Sequence, residues 1–254
     1  MSPRRPVRAW IGKPHLDPAE LVGPAGLTED VLRGDGDPDG PEPEGDDAFW
    51  ESLLTEERVA RIEAVVSARL GSVTVILDRL LDAHNVAAVL RTAEGLGLLR
   101  VHVVSHAAAD ERAHRRVTQD AHKWLDVEMH EDGADAARSL ANDGFTVLAG
   151  HLDPQARPYT GIAGDRPVAL LFGNEHEGPS AKTIAACAGT FRIPMAGFTQ
   201  SFNVSVAAGI ALSQICAARR AFLRSPGDLP VAERRALRSQ FLRLAARLSR
   251  RVKR

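Results

Sequence analysis

Two polar loops hold the residues best suited to binding a ligand. Residues 173–178 read Gly-Asn-Glu-His-Glu-Gly and directly follow an apolar run at 168–172. Residues 197–203 include Ser201 and Asn203 and precede a long apolar stretch. Carboxylate, amide and hydroxyl groups of this kind hold polar ligands, and loops at the carboxyl ends of strands form ligand crevices. We therefore predict that the two loops line one binding site.

The elements beside these loops are two strands and a long helix. The apolar run at 168–172 predicts a buried strand, and residues 191–195 predict a second, shorter one. Ser201 or Asn203 can cap a helix that begins near Val204. The first turns of that helix are rich in small residues, namely Ala207, Ala208, Gly209 and Ala211. Small side chains predict that another element packs closely against it.

Strands and helices alternate along the rest of the chain. Apolar, β-branched runs at 72–77, 100–105 and 145–149 predict further strands, and 85–96 and 135–142 predict helices between them. This order indicates an α/β fold, an open parallel sheet with helices on both faces. Flanking helices are predicted at 55–70 and 231–254.

Charge is strongly segregated, although the net charge is only −1. Residues 34–57 contain ten acidic residues and no Lys or Arg, whereas residues 219–254 contain twelve basic and two acidic ones. We predict three parts: an acidic, Pro/Gly-rich and disordered extension at 1–47, a central domain at 48–224, and a basic helical segment at 225–254. The basic block is typical of a polyanion partner, although a solvated helix face is the alternative.

Several classes of protein are disfavoured by the sequence. No apolar run approaches the ~20 residues of a membrane span, and the start lacks a secretory leader, so we expect no membrane partner. The two cysteines, Cys187 and Cys216, lack metal-site spacing and are expected to be buried thiols. The pairs His102 with His106 and His151 with Asp153 lack a supporting metal motif, so we predict no metal site.

Three ordered motifs resemble those of the SpoU branch of the SPOUT RNA methyltransferases. The second motif is GNEHEG at 173–178, and the third is IPM at 193–195 followed by SFNVSVAAGI at 201–210. The first should be an Asn with an Arg six residues later, about eighty residues upstream, and Asn85 and Arg91 fit it. The resemblance covers roughly residues 53–250.

The resemblance implies a fold, a cofactor and a reaction. It implies a C-terminal trefoil knot in the sheet and a cytoplasmic homodimer. The reaction is methyl transfer from S-adenosyl-L-methionine to a ribose 2′-hydroxyl of RNA. Residues 121–132 resemble the segment of TrmH-type enzymes, which methylate guanosine 18 in the D-loop of tRNA. Ribosomal RNA or the tRNA wobble nucleotide is the alternative substrate, and a non-catalytic RNA-binding protein is the alternative from another class.

The family also implies roles for the motif residues. Arg91 acts on the ribose hydroxyl, either as a base assisted by a substrate phosphate or as an electrostatic stabiliser. In the family, Ser201 and Asn203 help to hold Arg91 and the ribose. From its position we expect Asn85 to lie at a helix N-terminus and to hydrogen-bond a backbone group or Arg91, with a simple cap as its alternative role. Glu175 is expected to orient Asn85 or Arg91, with a loop carboxylate beside a helix N-terminus as the alternative.

Cofactor and RNA contacts complete the prediction. The expected cofactor contacts are Gly150, Gly173, Asn174, Glu175, His176, Glu177, Ile193 and Phe202. The expected RNA contacts are Lys123, Arg219, Arg220, Arg234, Arg235, Arg250 and Arg251. Phe202 stands where family members mostly carry Leu, which predicts a reshaped adenine pocket. Glu177 stands where TrmH-type proteins tend to have a bulky residue, which leaves the choice of RNA open.

Overall fold

Seven parallel strands form the sheet at the centre of the protein. The computed structural model describes residues 45–105 and 123–252. The strands are β1 (Val73–Asp78), β2 (Arg100–Val104), β3 (Asp126–His130), β4 (Thr146–Gly150), β5 (Arg157–Pro158), β6 (Val168–Phe172) and β7 (Gly189–Arg192). They lie side by side in the order β3-β2-β1-β6-β4-β7-β5. The predicted parallel sheet is therefore confirmed.

The most apolar strands occupy the middle of the sheet. Every residue of β1 and of β6 is buried. The two strands pair in register from Val73 with Val168 to Leu77 with Phe172. Continuous apolar runs are typical of parallel strands covered on both faces, because neither face meets water. This pattern explains why β1 and β6 lie next to each other.

Helices cover both faces of the sheet. The helices of the described residues are α1 (Asp47–Glu51), α2 (Glu56–Ser67), α3 (Ala83–Gly95), α4 (Gly133–Asn142), α5 (Ala181–Ala185), α6 (Val204–Leu223) and α7 (Val231–Val252). One hydrophobic cluster joins α3 and α6 to the sheet, and a second joins α4 and the end of α5 to the opposite face. Helices on both faces, as predicted, are therefore confirmed.

Helix α6 packs closely on α3, as its small residues predict. Ala208 and Ala211 are buried, and a Cβ built on Gly209 would lie 3.8 Å from Cγ2 of Thr92 on α3. By length and composition alone, α6 could also cross a membrane. In the structure its apolar side packs on α3, β1 and β6, as core helices of similar composition do.

Some elements differ from those predicted. The strand predicted at 191–195 is β7, which begins at Gly189 and ends at Arg192. Helix α2 ends at Ser67 rather than near 70. Strand β3 was not predicted, although its sequence, Asp-Val-Glu-Met-His, alternates polar and apolar residues as an edge strand does.

The contacts divide the described residues into a larger unit, residues 57–241, and a smaller one, residues 45–56 with 242–252. In the smaller unit, α1 is capped by Asp46, whose side chain accepts a hydrogen bond from the Phe49 amide at 2.9 Å. Trp50 is 2% exposed, and its indole N–H donates to the Gly45 carbonyl at 3.1 Å. Helical structure therefore begins just before the predicted boundary at residue 48. The rest of the predicted acidic extension lies outside the described residues.

A carboxylate after α6 holds the start of β1 within the larger unit. Asp228 Oδ1 accepts a hydrogen bond from the Gly71 amide at 2.6 Å, and Oδ2 accepts one from the Ser72 hydroxyl. Arg219 Nε lies 3.8 Å from Oδ2, and both side chains are about 90% buried. The Arg219 guanidinium also donates to Ser72 Oγ at 2.8 Å and to the Gly164 carbonyl at 3.1 Å.

We predict that Asp228→Asn lowers the free energy of unfolding by about 3 kcal/mol, because a buried guanidinium loses its counter-charge. Urea unfolding followed by circular dichroism measures this quantity. Asp165→Asn is the matched control, because Asp165 pairs with the neighbouring Arg166 at the exposed surface and its loss should cost less than about 1 kcal/mol. Equal losses in the two variants would contradict the structural role of Asp228.

Candidate functional site

A cavity of about 540 Å³ opens at the carboxyl ends of β4, β6 and β7. All eight residues predicted to contact the cofactor line it: Gly150, Gly173, Asn174, Glu175, His176, Glu177, Ile193 and Phe202. Sequence reasoning missed several other lining residues: His151, Leu152, Phe172, Pro179, Phe191, Met195 and Ala207. His151 and Leu152 could have been found from their position directly after a strand. The two polar loops do line one cavity, as predicted.

The loop after β6 owes its shape to two glycines. A Cβ on Gly173 would lie 2.1 Å from the Pro179 nitrogen, so only glycine allows the two ends of the loop to approach. Gly178 has φ +68°, which favours glycine, and its amide donates to the Asn174 carbonyl at 2.8 Å. The Asn174 side chain accepts from the His176 amide at 2.8 Å. Ser180 caps α5, and Pro179 directly precedes that cap.

A chain of side-chain hydrogen bonds joins the three sequence motifs. The Asn85 amide donates to Glu175 Oε1 at 2.9 Å. The Asn203 amide donates to Asn85 Oδ1 at 3.0 Å. Asn203 Oδ1 in turn accepts from the Ser205 amide at 2.8 Å, which caps α6. The start of α3, the loop after β6 and the start of α6 are thus held together by three side chains.

Glu175 is held in its ionised form. The carboxylate also accepts from the Leu81 amide at 3.0 Å and the Asp82 amide at 3.3 Å. Burial opposes ionisation, but the hydrogen bonds from Leu81, Asn85 and Asp82 outweigh it and lower the pKa of Glu175. A lowered pKa means that this stabilisation is present above the unfolded-state pKa and is lost as the pH falls through the folded-state value.

The structure separates the roles of the asparagines. Asp82, not Asn85, caps α3, with its Oδ1 accepting from the His84 amide at 2.8 Å. The alternative in which Asn85 is a simple cap is therefore wrong, and its buried side chain joins Glu175 to Asn203 instead. Of the pair Ser201 and Asn203, Asn203 is the cap. Ser201 is exposed and lines the cavity.

Arg91 lies apart from this chain of hydrogen bonds. It is exposed on α3 and does not line the cavity. Among the described residues, no hydrogen bond or ion pair joins its guanidinium to Asn85, Glu175, Ser201 or Asn203. The expected contact of Arg91 with the Ser-x-Asn pair is therefore not made within this chain, and the guanidinium is accessible.

Two of the predicted RNA contacts have structural partners instead. Arg219 is 9% exposed and hydrogen-bonded as described above. Arg220 donates to the backbone carbonyls of Pro226, Leu96 and Ala68 at 2.7–3.1 Å. We therefore leave both out of the RNA surface. Arg234 and Arg235 are exposed on α7, Lys123 is partly exposed, and the side chains of Arg250 and Arg251 lie outside the described residues.

Comparisons with known proteins agree with this arrangement. The SpoU rRNA Methylase family matches residues 72–213, more than half of the chain. A tRNA (guanosine(18)-2′-O)-methyltransferase of Thermus thermophilus is 38% identical over 158 residues, which are 62% of this chain and 81% of the relative. The enzyme of the same name from Escherichia coli is 32% identical over 187 residues, which are 72% of this chain and 81% of the relative.

Solved structures give the same result. The TrmH/SpoU tRNA modifying enzyme of A. aeolicus has a TM-score of 0.66 and 26% identity, over 75% of this chain and 96% of that one. An AdoMet-bound rRNA methyltransferase from Sinorhizobium meliloti has a TM-score of 0.52 and 28% identity, over 63% and 60% of the two chains. With its three motifs joined at one cavity, the chain belongs to the SpoU rRNA Methylase family.

Proposed function

We propose that the protein is a tRNA (guanosine(18)-2′-O)-methyltransferase. It transfers the methyl group of S-adenosyl-L-methionine to the ribose 2′-hydroxyl of a D-loop guanosine. The observation that carries the proposal is the chain of hydrogen bonds from Glu175 through Asn85 to Asn203, which joins all three family motifs beside one cavity. Relatives bearing this name match over 81% of their own length, which favours the tRNA substrate over ribosomal RNA.

The cavity fits S-adenosyl-L-methionine. Its volume lies within the ~300–1,000 Å³ range of small-molecule sites. His151 lines it, and Nδ1 of that ring is buried without a hydrogen-bond partner among the described residues, so it can pair with a polar ligand atom. Gly150 lies against the Phe191 ring, which an added Cβ would contact at 3.4 Å. Phe202 is 39% exposed and supplies an aromatic wall at the mouth.

The cofactor, when bound, supplies an electrophilic methyl group, so the protein must mainly orient the ribose hydroxyl and stabilise its loss of a proton. Of the two open roles for Arg91, we propose the electrostatic one. An exposed guanidinium can hold a phosphate and the developing alkoxide through its forked N–H groups. Asn85, Glu175 and Asn203 are positioning residues, because they fix the start of α3 relative to the cavity.

The quaternary structure and the knot are further parts of the proposal. Strand β6 lies between β1 and β4, and β7 lies beyond β4, which fits a trefoil knot in the segment from β6 to α6. Large apolar side chains near the cavity are exposed, which favours a homodimer; they are Leu152, Phe198, Phe202 and Val206. A second copy would also provide the partner that Arg91 lacks among this chain's described residues.

The remaining proposals concern the RNA surface and the location of the enzyme. Exposed Arg234 and Arg235 on α7, together with Lys123, Arg250 and Arg251, supply sequence-independent affinity for phosphates. The acidic extension at 1–47, the catalytic domain at 48–224 and the basic segment at 225–254 remain the proposed division of the chain. We propose a cytoplasmic location, where cysteines such as Cys187 and Cys216 stay free.

The substrate is tested with purified protein and labelled S-adenosyl-L-methionine. A tRNA transcript should accept one methyl group, and a matched transcript carrying 2′-deoxyguanosine at position 18 should accept none, because the reacting hydroxyl is missing. Mass spectrometry of nuclease fragments locates the product. Methylation of the deoxy transcript, or of ribosomal RNA alone, would contradict the proposed substrate. Binding of tRNA without transfer would indicate the non-catalytic alternative.

Arg91→Ala should lower kcat by about 10²–10³-fold, as expected when one stabilising group is removed from a developing oxyanion. The affinity for S-adenosyl-L-methionine should stay within a few-fold, because Arg91 does not line the cavity. Single-turnover kinetics and calorimetric titration measure the two quantities. Arg166→Ala, another exposed arginine, is the control, and wild-type turnover in Arg91→Ala would remove Arg91 from the mechanism.

Asn203→Asp separates capping from positioning. A carboxylate still caps α6, so the free energy of unfolding should change by less than about 1 kcal/mol. It cannot donate to Asn85 Oδ1, however, so kcat/KM should fall at least about tenfold, the equivalent of one hydrogen bond. Asn203→Ala should lose both the cap and the activity. Wild-type activity in the folded Asn203→Asp protein would leave Asn203 with the capping role alone.

A further inference from the structure

A cluster of three potential metal ligands lies toward the opposite edge of the sheet from the cavity. His102 is on β2, and Glu128 and His130 are on the neighbouring edge strand β3. His102 is directly opposite Glu128 in the parallel register. Side chains alternate along strands, so all three lie on one face, the face that α4 covers. None of the three lines the cavity.

The ligand atoms converge on one point. His102 Nδ1 lies 2.9 Å from His130 Nε2 and 3.2 Å from Glu128 Oε2. His130 Nε2 lies 3.9 Å from the same carboxylate oxygen. Donors about 2.0–2.2 Å from a tetrahedral zinc ion are about 3.3–3.6 Å apart, and the three observed separations bracket this range.

Hydrogen bonding alone does not account for the cluster. A neutral imidazole has one N–H, and its other nitrogen presents a lone pair. If His102 Nδ1 carries the proton, the lone pairs of His130 Nε2 and Glu128 Oε2 compete for it. If His130 Nε2 carries the proton instead, it donates to His102 Nδ1, and the lone pairs of His102 Nδ1 and Glu128 Oε2 then face each other at 3.2 Å. A cation bound between them satisfies all three at once.

The surroundings prepare these groups for a metal. Arg100 Nε lies 3.1 Å from Glu128 Oε1 and 2.8 Å from Asp126, which fixes the carboxylate and leaves Oε2 toward the rings. The His102 side chain is 3% exposed, against 20% for His130 and 40% for Glu128, so the cluster is reached from one side.

We propose that His102, Glu128 and His130 form a zinc-binding site at the β2–β3 edge of the sheet. Two imidazoles and one carboxylate at tetrahedral separations are a ligand set that zinc accepts, with the fourth position left for water. Because the ligands come from two neighbouring strands, the ion would fix β3 to β2. We expect zinc to stabilise the fold and leave methyl transfer, the function proposed above, essentially unchanged.

The site is tested by calorimetric titration of the full, metal-free chain with zinc sulfate. Wild-type protein should bind one zinc ion, and its Tm should rise by several degrees at a free zinc concentration about 100-fold above Kd. His130→Gln and Glu128→Gln should each weaken binding by more than the ~10–100-fold that loss of an outer-shell partner costs. Titration with Co²⁺ should give the visible absorption of a tetrahedral complex in wild-type protein only.

His84→Gln is the matched control, because His84 is exposed at the start of α3 and is not one of the three proposed ligands. It should bind zinc as wild-type protein does. Both test variants replace partly exposed groups with amides of similar size, and their Tm without zinc should match that of wild-type protein. Absence of zinc binding by the wild-type protein would overturn the proposal. Equal affinity in wild-type protein and in either folded test variant would also overturn it, because other histidines would then be the ligands.

Discussion

The geometry of the cavity depends on one asparagine. Asn85 donates to Glu175 and accepts from Asn203, so its amide is satisfied only while α3, the loop after β6 and α6 keep their places. Leaving a buried polar group without a partner costs about 1–3 kcal/mol, so displacing any of the three elements is penalised at this residue. Aspartate or leucine at this position could not donate and accept in the same way. These two hydrogen bonds explain why motifs that are far apart in sequence lie next to each other in space.

The apolar runs were sufficient to predict the sheet but not all of its strands. Strands β1 and β6 were predictable because burial on both faces demands continuous apolar sequence. Strand β3 was not, since its five residues include only two apolar ones, Val127 and Met129, and so short an alternating run is a weak signal. The motif residues were found through the family resemblance, whereas the hydrogen bonds among them required the fold. Helix α3 is capped by Asp82 rather than by Asn85. Which of the two residues is the cap depends on where the chain leaves β1, and no local sequence pattern determines that position.

Buried charge was the hardest feature to foresee. Arg69 is fully buried, with its guanidinium donating to the carbonyls of Leu98 and Trp124 and pairing with Glu94 at 3.2 Å. The three partners lie in separate segments of the chain, so no local spacing around Arg69 predicts its burial. Arg219 was misassigned to RNA for the same reason, because a basic residue in a basic block looks exposed until its partners are known. The histidine cluster likewise depends on strand register, which places His102 opposite Glu128.

The position of β6 has a consequence for biosynthesis. Its neighbours in the sheet, β1 and β4, both precede it in the chain, and Val73 must pair with Val168. While the ribosome is still making the part of the protein before β6, strands β1 and β4 therefore present apolar edges that have no partner. Pairings between distant residues are slow to form, and unpaired strand edges promote aggregation. The nascent chain thus passes through a stage at which chaperone protection matters most. That stage ends only when β6 leaves the ribosome and inserts between β1 and β4.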